Sequence, residues 1–171
     1  MRGDGQAPMA LFNGTYVQNF DQKGRVSIPA QFRMALREGV TNPVSLGEGP
    51  ASLPLVLRPS EKVNCIEGFT ETRHRAQVDE LEKLDPMSED YDALATVLFA
   101  DAYPIETDKE GRITLHDALL SFAGLARDGK VTFVGMGTRF QIWHPDRVAA
   151  HKAAAQAANA ARMARQKQGA A

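Results

Sequence analysis

A single cysteine, Cys65, leaves this 171-residue chain without the means for an intrachain disulfide. Such a chain suits a reducing cytoplasm, and a lone thiol reads as a small core residue before it reads as a nucleophile. No apolar run approaches the ~18 residues of a membrane span. Met1 to Met9 are polar and glycine-rich, without the apolar stretch of a secretory signal, so residues 1–10 read as a flexible lead-in. Neither sign of charge is in excess: 20 Lys and Arg stand against 21 Asp and Glu, a formal net charge of -1. That balance excludes a uniformly basic protein that coats nucleic acid, but not a local basic patch.

The signatures of catalysis are missing as well. The four histidines, His74, His116, His144 and His151, do not stand at metal-ligand spacing with one another or with Cys65. There is no nucleophile elbow and no phosphate-binding loop. Gly135-Met136-Gly137 lacks a third glycine, since Phe140 occupies that position, and reads as a hairpin turn between two strands. No catalytic residue, metal, cofactor or small-molecule ligand is expected, and the protein is not read as an enzyme.

What the chain does contain is an internal repeat. Phe12 to Arg33 aligns without a gap on Phe99 to Leu120 at an offset of 87. Phe12 falls on Phe99, Tyr16 on Tyr103, Asp21 on Asp108, Gly24 on Gly111 and Arg25 on Arg112. Each copy predicts strand, turn, strand, a short helix ended by Gly39 or Gly124, then a hairpin of two strands. The hairpins are expected at Leu53 to Leu57 with Asn64 to Phe69, and at Val131 to Val134 with Phe140 to Trp143. Two helices link the halves: Thr70 to Leu84, then one begun by Asp85-Pro86 with Tyr91, Leu94, Ala95 and Leu98 as its core stripe. Thr41 to Pro54 is a loop insertion. The tail from Ala149 carries 12 alanines in 23 residues, with basic residues and no acid; a frayed helix or disorder is expected.

Both copies share Asp-x-x-Gly-Arg: Asp21, Gly24 and Arg25, then Asp108, Gly111 and Arg112. The aspartate opens a tight turn by accepting backbone hydrogen bonds, and the glycine supplies the positive φ that closes it. The turn itself has no need of the arginine. Four residues from the aspartate, it can pair and hold its guanidinium in a fixed orientation, a rigid fork suited to phosphate or to a guanine edge. A purely structural Asp–Arg pair is the alternative. Lys23 strengthens the first turn, whereas Glu110 stands at its counterpart, so the first turn is the stronger expected anion binder.

These residues resemble the MraZ family of bacterial transcriptional regulators. The match runs from Phe12-x-Gly14-x-Tyr16 through Asp21-x-Lys23-Gly24-Arg25-Val26-Ser27-Ile28-Pro29-Ala30-x-Phe32-Arg33, returns at Asp108-x-x-Gly111-Arg112-Ile113, and covers about Leu11 to Arg147. The resemblance implies an α+β, mainly β fold of two tandem swapped-hairpin AbrB-like β-barrel modules, 11–69 and 99–147, joined by linking helices over 70–98 and followed by the tail, 148–171. It implies a homo-oligomeric ring that binds direct repeats in double-stranded DNA and represses the division and cell-wall gene cluster, including its own operon. It further implies a cytoplasmic, nucleoid-associated protein without a membrane partner. Arg25, Lys23, Arg112 and Arg33 are the DNA-binding residues expected from it, with Asp21 and Asp108 as orienting partners. Two departures weaken the second copy: His116 replaces the counterpart of Pro29, and Leu120 that of Arg33. A ring-forming structural or antitoxin-like adaptor, its Asp–Arg turns serving as interface salt bridges, is the competing expectation. Acidic residues cluster between Glu61 and Asp108, away from the basic turns, so a net charge of -1 is compatible with a cationic face.

Overall fold

The computed structural model of the protein describes residues 10–170, so Met1 to Met9 of the expected lead-in lie outside the described residues. The repeat is visible at once in the order of elements. The first half runs β1 (Thr15–Asn19), β2 (Arg25–Ser27), α1 (Ala30–Glu38), β3 (Pro54–Pro59) and β4 (Ile66–Phe69). The second runs β5 (Tyr103–Glu106), β6 (Arg112–Thr114), α4 (Asp117–Ala123), β7 (Lys130–Gly135) and β8 (Phe140–Trp143). Between them lie α2 (Glu71–Leu81) and α3 (Glu89–Ala95), and α5 (Pro145–Gly169) closes the chain. The fold is α+β and mainly β, as expected.

The two halves fold through each other. A six-stranded antiparallel sheet has the order β1-β7-β8-β4-β3-β5, and β2 pairs with β6 in a separate two-stranded ribbon. Each strand of the first half therefore pairs with one of the second: β1 with β7, β2 with β6, β3 with β5 and β4 with β8. The strand order is unchanged when the halves are exchanged, in keeping with the duplicated sequence. A single repeat is too small to bury much apolar surface alone, and interlocking two of them solves that problem. The main core draws Phe12, Ile28, Phe32 and Leu57 from the first half and Leu115, Leu119, Phe133 and Phe140 from the second. Phe32 is its hub, in edge or tilted contact with Phe12, Tyr16, Phe133 and Phe140. Alternation within the strands sets this up: Val26 and Ile113 point into the core from the ribbon, while their neighbours face out.

Three local expectations change. Asp85-Pro86 does not begin α3; Asp85 makes a turn, its carboxylate accepting from the Met87 amide, and Ser88 caps the helix by accepting from Tyr91. Phe99 does not lead into a strand as Phe12 does, bridging Gly137 just before β1: it lies in a π-helical turn, Thr96–Ala100, that continues α3. The tail is helical. Pro145 stands at its first turn and His144 at its cap, and Val148, His151 stacked on Trp143, and Lys152 bonded to Thr15 dock its start. Beyond them the helix is exposed. The loop over 41–53 holds one 3-10 turn, Pro43–Leu46, and Arg37 secures it through the carbonyls of Gly47 and Gly49.

Candidate nucleic-acid interface

The two Asp-x-x-Gly-Arg turns are built alike, bond for bond. In the first, the Asp21 amide donates to the Arg25 carbonyl at 2.7 Å and the Gly24 amide to the Asp21 carbonyl at 3.0 Å. In the second, Asp108 and Arg112, then Gly111 and Asp108, repeat these bonds at 2.9 and 3.0 Å. One carboxylate oxygen of Asp21 accepts from the Lys23 and Arg25 amides, at 2.9 and 2.8 Å; that of Asp108 accepts from Glu110 and Arg112 at 3.0 and 2.9 Å. The other oxygen takes the arginine Nε, at 2.8 Å for Arg25 and 2.7 Å for Arg112. Gly24 and Gly111 have φ of +74° and +83°, open to glycine at little cost.

This geometry orients the guanidinium. Held by Nε, Arg25 presents both terminal amino groups with no hydrogen-bond partner among the described residues. Arg112 is held in the same way, but one of its terminal groups also reaches Glu110 at 3.3 Å. The second turn is therefore partly self-neutralised. The Arg25 amide, and then its side chain and the Lys23 amide, hold the Asp21 carboxyl below the usual aspartate value. For Asp108, burial pushes upward, but the hydrogen bonds from Arg112 outweigh it and the net displacement is again downward. Asp108 in turn raises Arg112. Both carboxylates are charged at neutral pH, as an orienting partner must be.

The ribbon puts the two arginines on one surface. Arg25 stands opposite Thr114, Val26 opposite Ile113 and Ser27 opposite Arg112. Since side chains alternate along a strand, Arg25, Ser27, Arg112 and Thr114 share the outer face. The arginines are diagonal neighbours, a relation that in antiparallel pairs spans roughly 7–8 Å. Lys23 is exposed at the tip of the first turn. Arg33, on α1, does not join this end. It donates to the Ile28 carbonyl at 2.8 Å and lies across Gly111, the glycine of the other half's turn.

Sequence reasoning missed one residue. Arg127, in the loop after α4, donates to the Leu115 carbonyl at 2.9 Å, pairs with Asp117 at 2.6 Å and lies across Gly24. The repeat offset hides it, because 127 aligns with Val40.

The remaining candidates are structural. Cys65 is fully buried beside Val134, Trp143 and Val148, and burial pushes its thiol up to about 12. His116 stacks against Tyr103 at 4.6 Å. His74 has its Nδ1 buried without a partner among the described residues, and burial, then Arg58 and Arg75, lower its pKa. Among the described residues, no group of three or more His, Cys, Asp or Glu is arranged around a metal position, and no helix is long and apolar enough to cross a membrane.

The comparisons agree with the duplicated turns. The family model described as "MraZ protein, putative antitoxin-like" matches residues 11–44 and 98–169. The chain is 44% identical over 147 residues to the transcriptional regulator MraZ of Gluconobacter oxydans, covering 86% of this chain and 84% of the relative. It is 42% identical over 137 residues to that of Gluconacetobacter diazotrophicus, covering 80% of each. For Parvibaculum lavamentivorans the identity is 39% over 152 residues, with 86% and 84% covered.

Proposed function

The chain belongs to the MraZ family, and from that premise we propose that it is a transcriptional regulator, a sequence-specific repressor that binds double-stranded DNA through the outer face of the β2–β6 ribbon. The observation that carries this reading is the pair of guanidinium groups on that face, each fixed by an aspartate through Nε. An antiparallel two-stranded ribbon is narrow enough for the major groove, and an oriented guanidinium suits a guanine edge or a phosphate.

Arg25, Lys23 and Arg112 are the contacts in this proposal, with Asp21 and Asp108 as orienting groups. The targets are direct repeats upstream of the division and cell-wall gene cluster, this protein's own operon included. One ribbon offers few cations and would bind weakly. A ring of protomers presents the same face several times, and linked sites raise avidity by roughly 10²–10⁴ without new contacts at any site. Several protomers acting together would also displace more counterions than one, so affinity should fall steeply with salt between about 50 and 200 mM. In this reading the protein performs no chemical step and works in the cytoplasm at the nucleoid.

The test is binding to DNA from upstream of the protein's own operon, by wild type, Arg25→Ala and Arg112→Ala, with assembly followed by sedimentation. Arg25→Ala should lower affinity by roughly tenfold or more while the assembly persists. Arg112→Ala should cost less, because Glu110 already engages that guanidinium. If Arg25→Ala instead dissolves the assembly, and wild type shows no preference for its own upstream DNA, the turns are interface salt bridges and the adaptor reading replaces this one.

A further inference from the structure

We propose that Arg127 and Arg33 are a matched pair of positioning residues, each bracing the recognition turn of the opposite half, so that Arg127 supplies in space what Leu120 lacks in sequence. The inference rests on the ribbon face being the DNA interface, and it specifies how that face is held.

Three correspondences carry it. The first is the anchor. Arg33 donates to the carbonyl of Ile28 at 2.8 Å and Arg127 to that of Leu115 at 2.9 Å. Ile28 and Leu115 are repeat equivalents, 87 residues apart, two residues before α1 and α4 begin. The second is the target. A Cβ on Gly111 would collide with Arg33, and one on Gly24 would meet the Arg127 Cδ at 2.7 Å. Each arginine thus occupies the space its glycine leaves open, on the turn belonging to the other half. The third is the surrounding surface. An open cleft of 460 Å³ is lined by Gln22, Lys23, Gly24, Arg127 and Asp128. Its counterpart of 850 Å³ is lined in part by Lys109, Glu110, Gly111 and Arg33.

The two arginines reach equivalent places from different positions. Arg33 projects from a helix, and Arg127 comes from the loop beyond the equivalent helix, held there by Asp117. A helix and a loop offer different routes, but the carbonyl and the open glycine that receive them are the same. The consequence is a crossed dependence. The turn bearing Arg25 is braced by the second half, and the turn bearing Arg112 by the first. Each end of the ribbon then carries three basic side chains: Lys23, Arg25 and Arg127 at one, Lys109, Arg112 and Arg33 at the other.

Amide exchange in the free protein and a double-mutant cycle on DNA binding test this. Arg127→Ala should speed exchange at Lys23, Gly24 and Arg25 several-fold and leave Lys109 to Arg112 unchanged; Arg33→Ala should do the reverse. On operator DNA, the loss from Arg127→Ala should shrink at least threefold once Arg25 is already alanine, and stay undiminished in an Arg112→Ala background. Merely global destabilisation would instead give additive losses in both backgrounds. Arg127→Lys, which keeps the charge but not the fork, should restore the salt dependence and not the turn protection. Exchange changes confined to residues 115–130, or coupling to Arg112 in place of Arg25, would overturn the proposal. Should wild type bind no DNA specifically, the interface reading falls, and the crossed exchange pattern still decides whether the brace exists.

Discussion

Phe12 and Phe99 occupy equivalent positions in the repeat, yet their replacement by alanine should have very different costs. Phe12 is 1% exposed, with ring centroids 5.3 Å from Phe32 and 5.0 Å from Phe140. Removing a fully buried phenylalanine costs ~3–5 kcal/mol. Two aromatic pairs, each contributing ~0.5–1.5 kcal/mol beyond area burial, place this site in the upper part of that range. Phe99 is 53% exposed, and its aromatic neighbour is the ring of His74, 6.3 Å away. About 1 kcal/mol or less is expected there, as for other surface substitutions. In a chain of this size ~1 kcal/mol moves the melting temperature by about 2–4 °C. Phe12→Ala should therefore melt roughly 8–20 °C below wild type, and Phe99→Ala within about 4 °C of it. Urea and thermal denaturation followed by circular dichroism at one fixed protein concentration would measure this, since assembly couples stability to concentration. Equal losses for the two variants would refute the reasoning, because they would mean that Phe99 is packed as its sequence twin is.

Gly111→Ala should destabilise by roughly 2–3 kcal/mol: left-handed backbone costs ~1–2 kcal/mol, and the added methyl displaces Arg33 from the Ile28 carbonyl, a bond of ~1 kcal/mol. A urea-derived loss below 1 kcal/mol would contradict the close approach of Arg33. Asp21 and Asp108 both have lowered folded pKa values. Their contribution is complete above the unfolded aspartate value of about 3.9 and is lost as pH falls through the lowered folded values. The Nε–H resonances of Arg25 and Arg112 should thus stay fixed down to about pH 4 and move only below it; movement nearer neutrality would rule out these carboxylates as the partners. Deleting residues 153–171 should leave the melting temperature almost unchanged while helical ellipticity falls, because the docking contacts of α5 end at Lys152. A large drop in melting temperature would show that the distal helix packs on the body.

The chemistry of the turns was legible without coordinates because it is local. Asp21 and Arg25 lie four residues apart, within reach of each other around any tight turn, and the glycine between them announces the positive φ. The order of strands and helices was legible for a similar reason, since alternation and helical spacing act within a few residues. Even the added contact on Arg112 follows from Glu110 being two residues before it. Phe99 and Arg127 were beyond that reach. The offset of 87 makes Phe99 a twin of Phe12, but the chain continues α3 through it and leaves the ring half-exposed. Arg127 meets Gly24 across 103 residues of sequence, and Arg33 meets Gly111 across 78. Short-range pattern in this chain determines what each repeat can build. Which half braces which turn depends on the halves passing through each other, because neither buries a core alone and the pairing that buries both also decides every long-range neighbour.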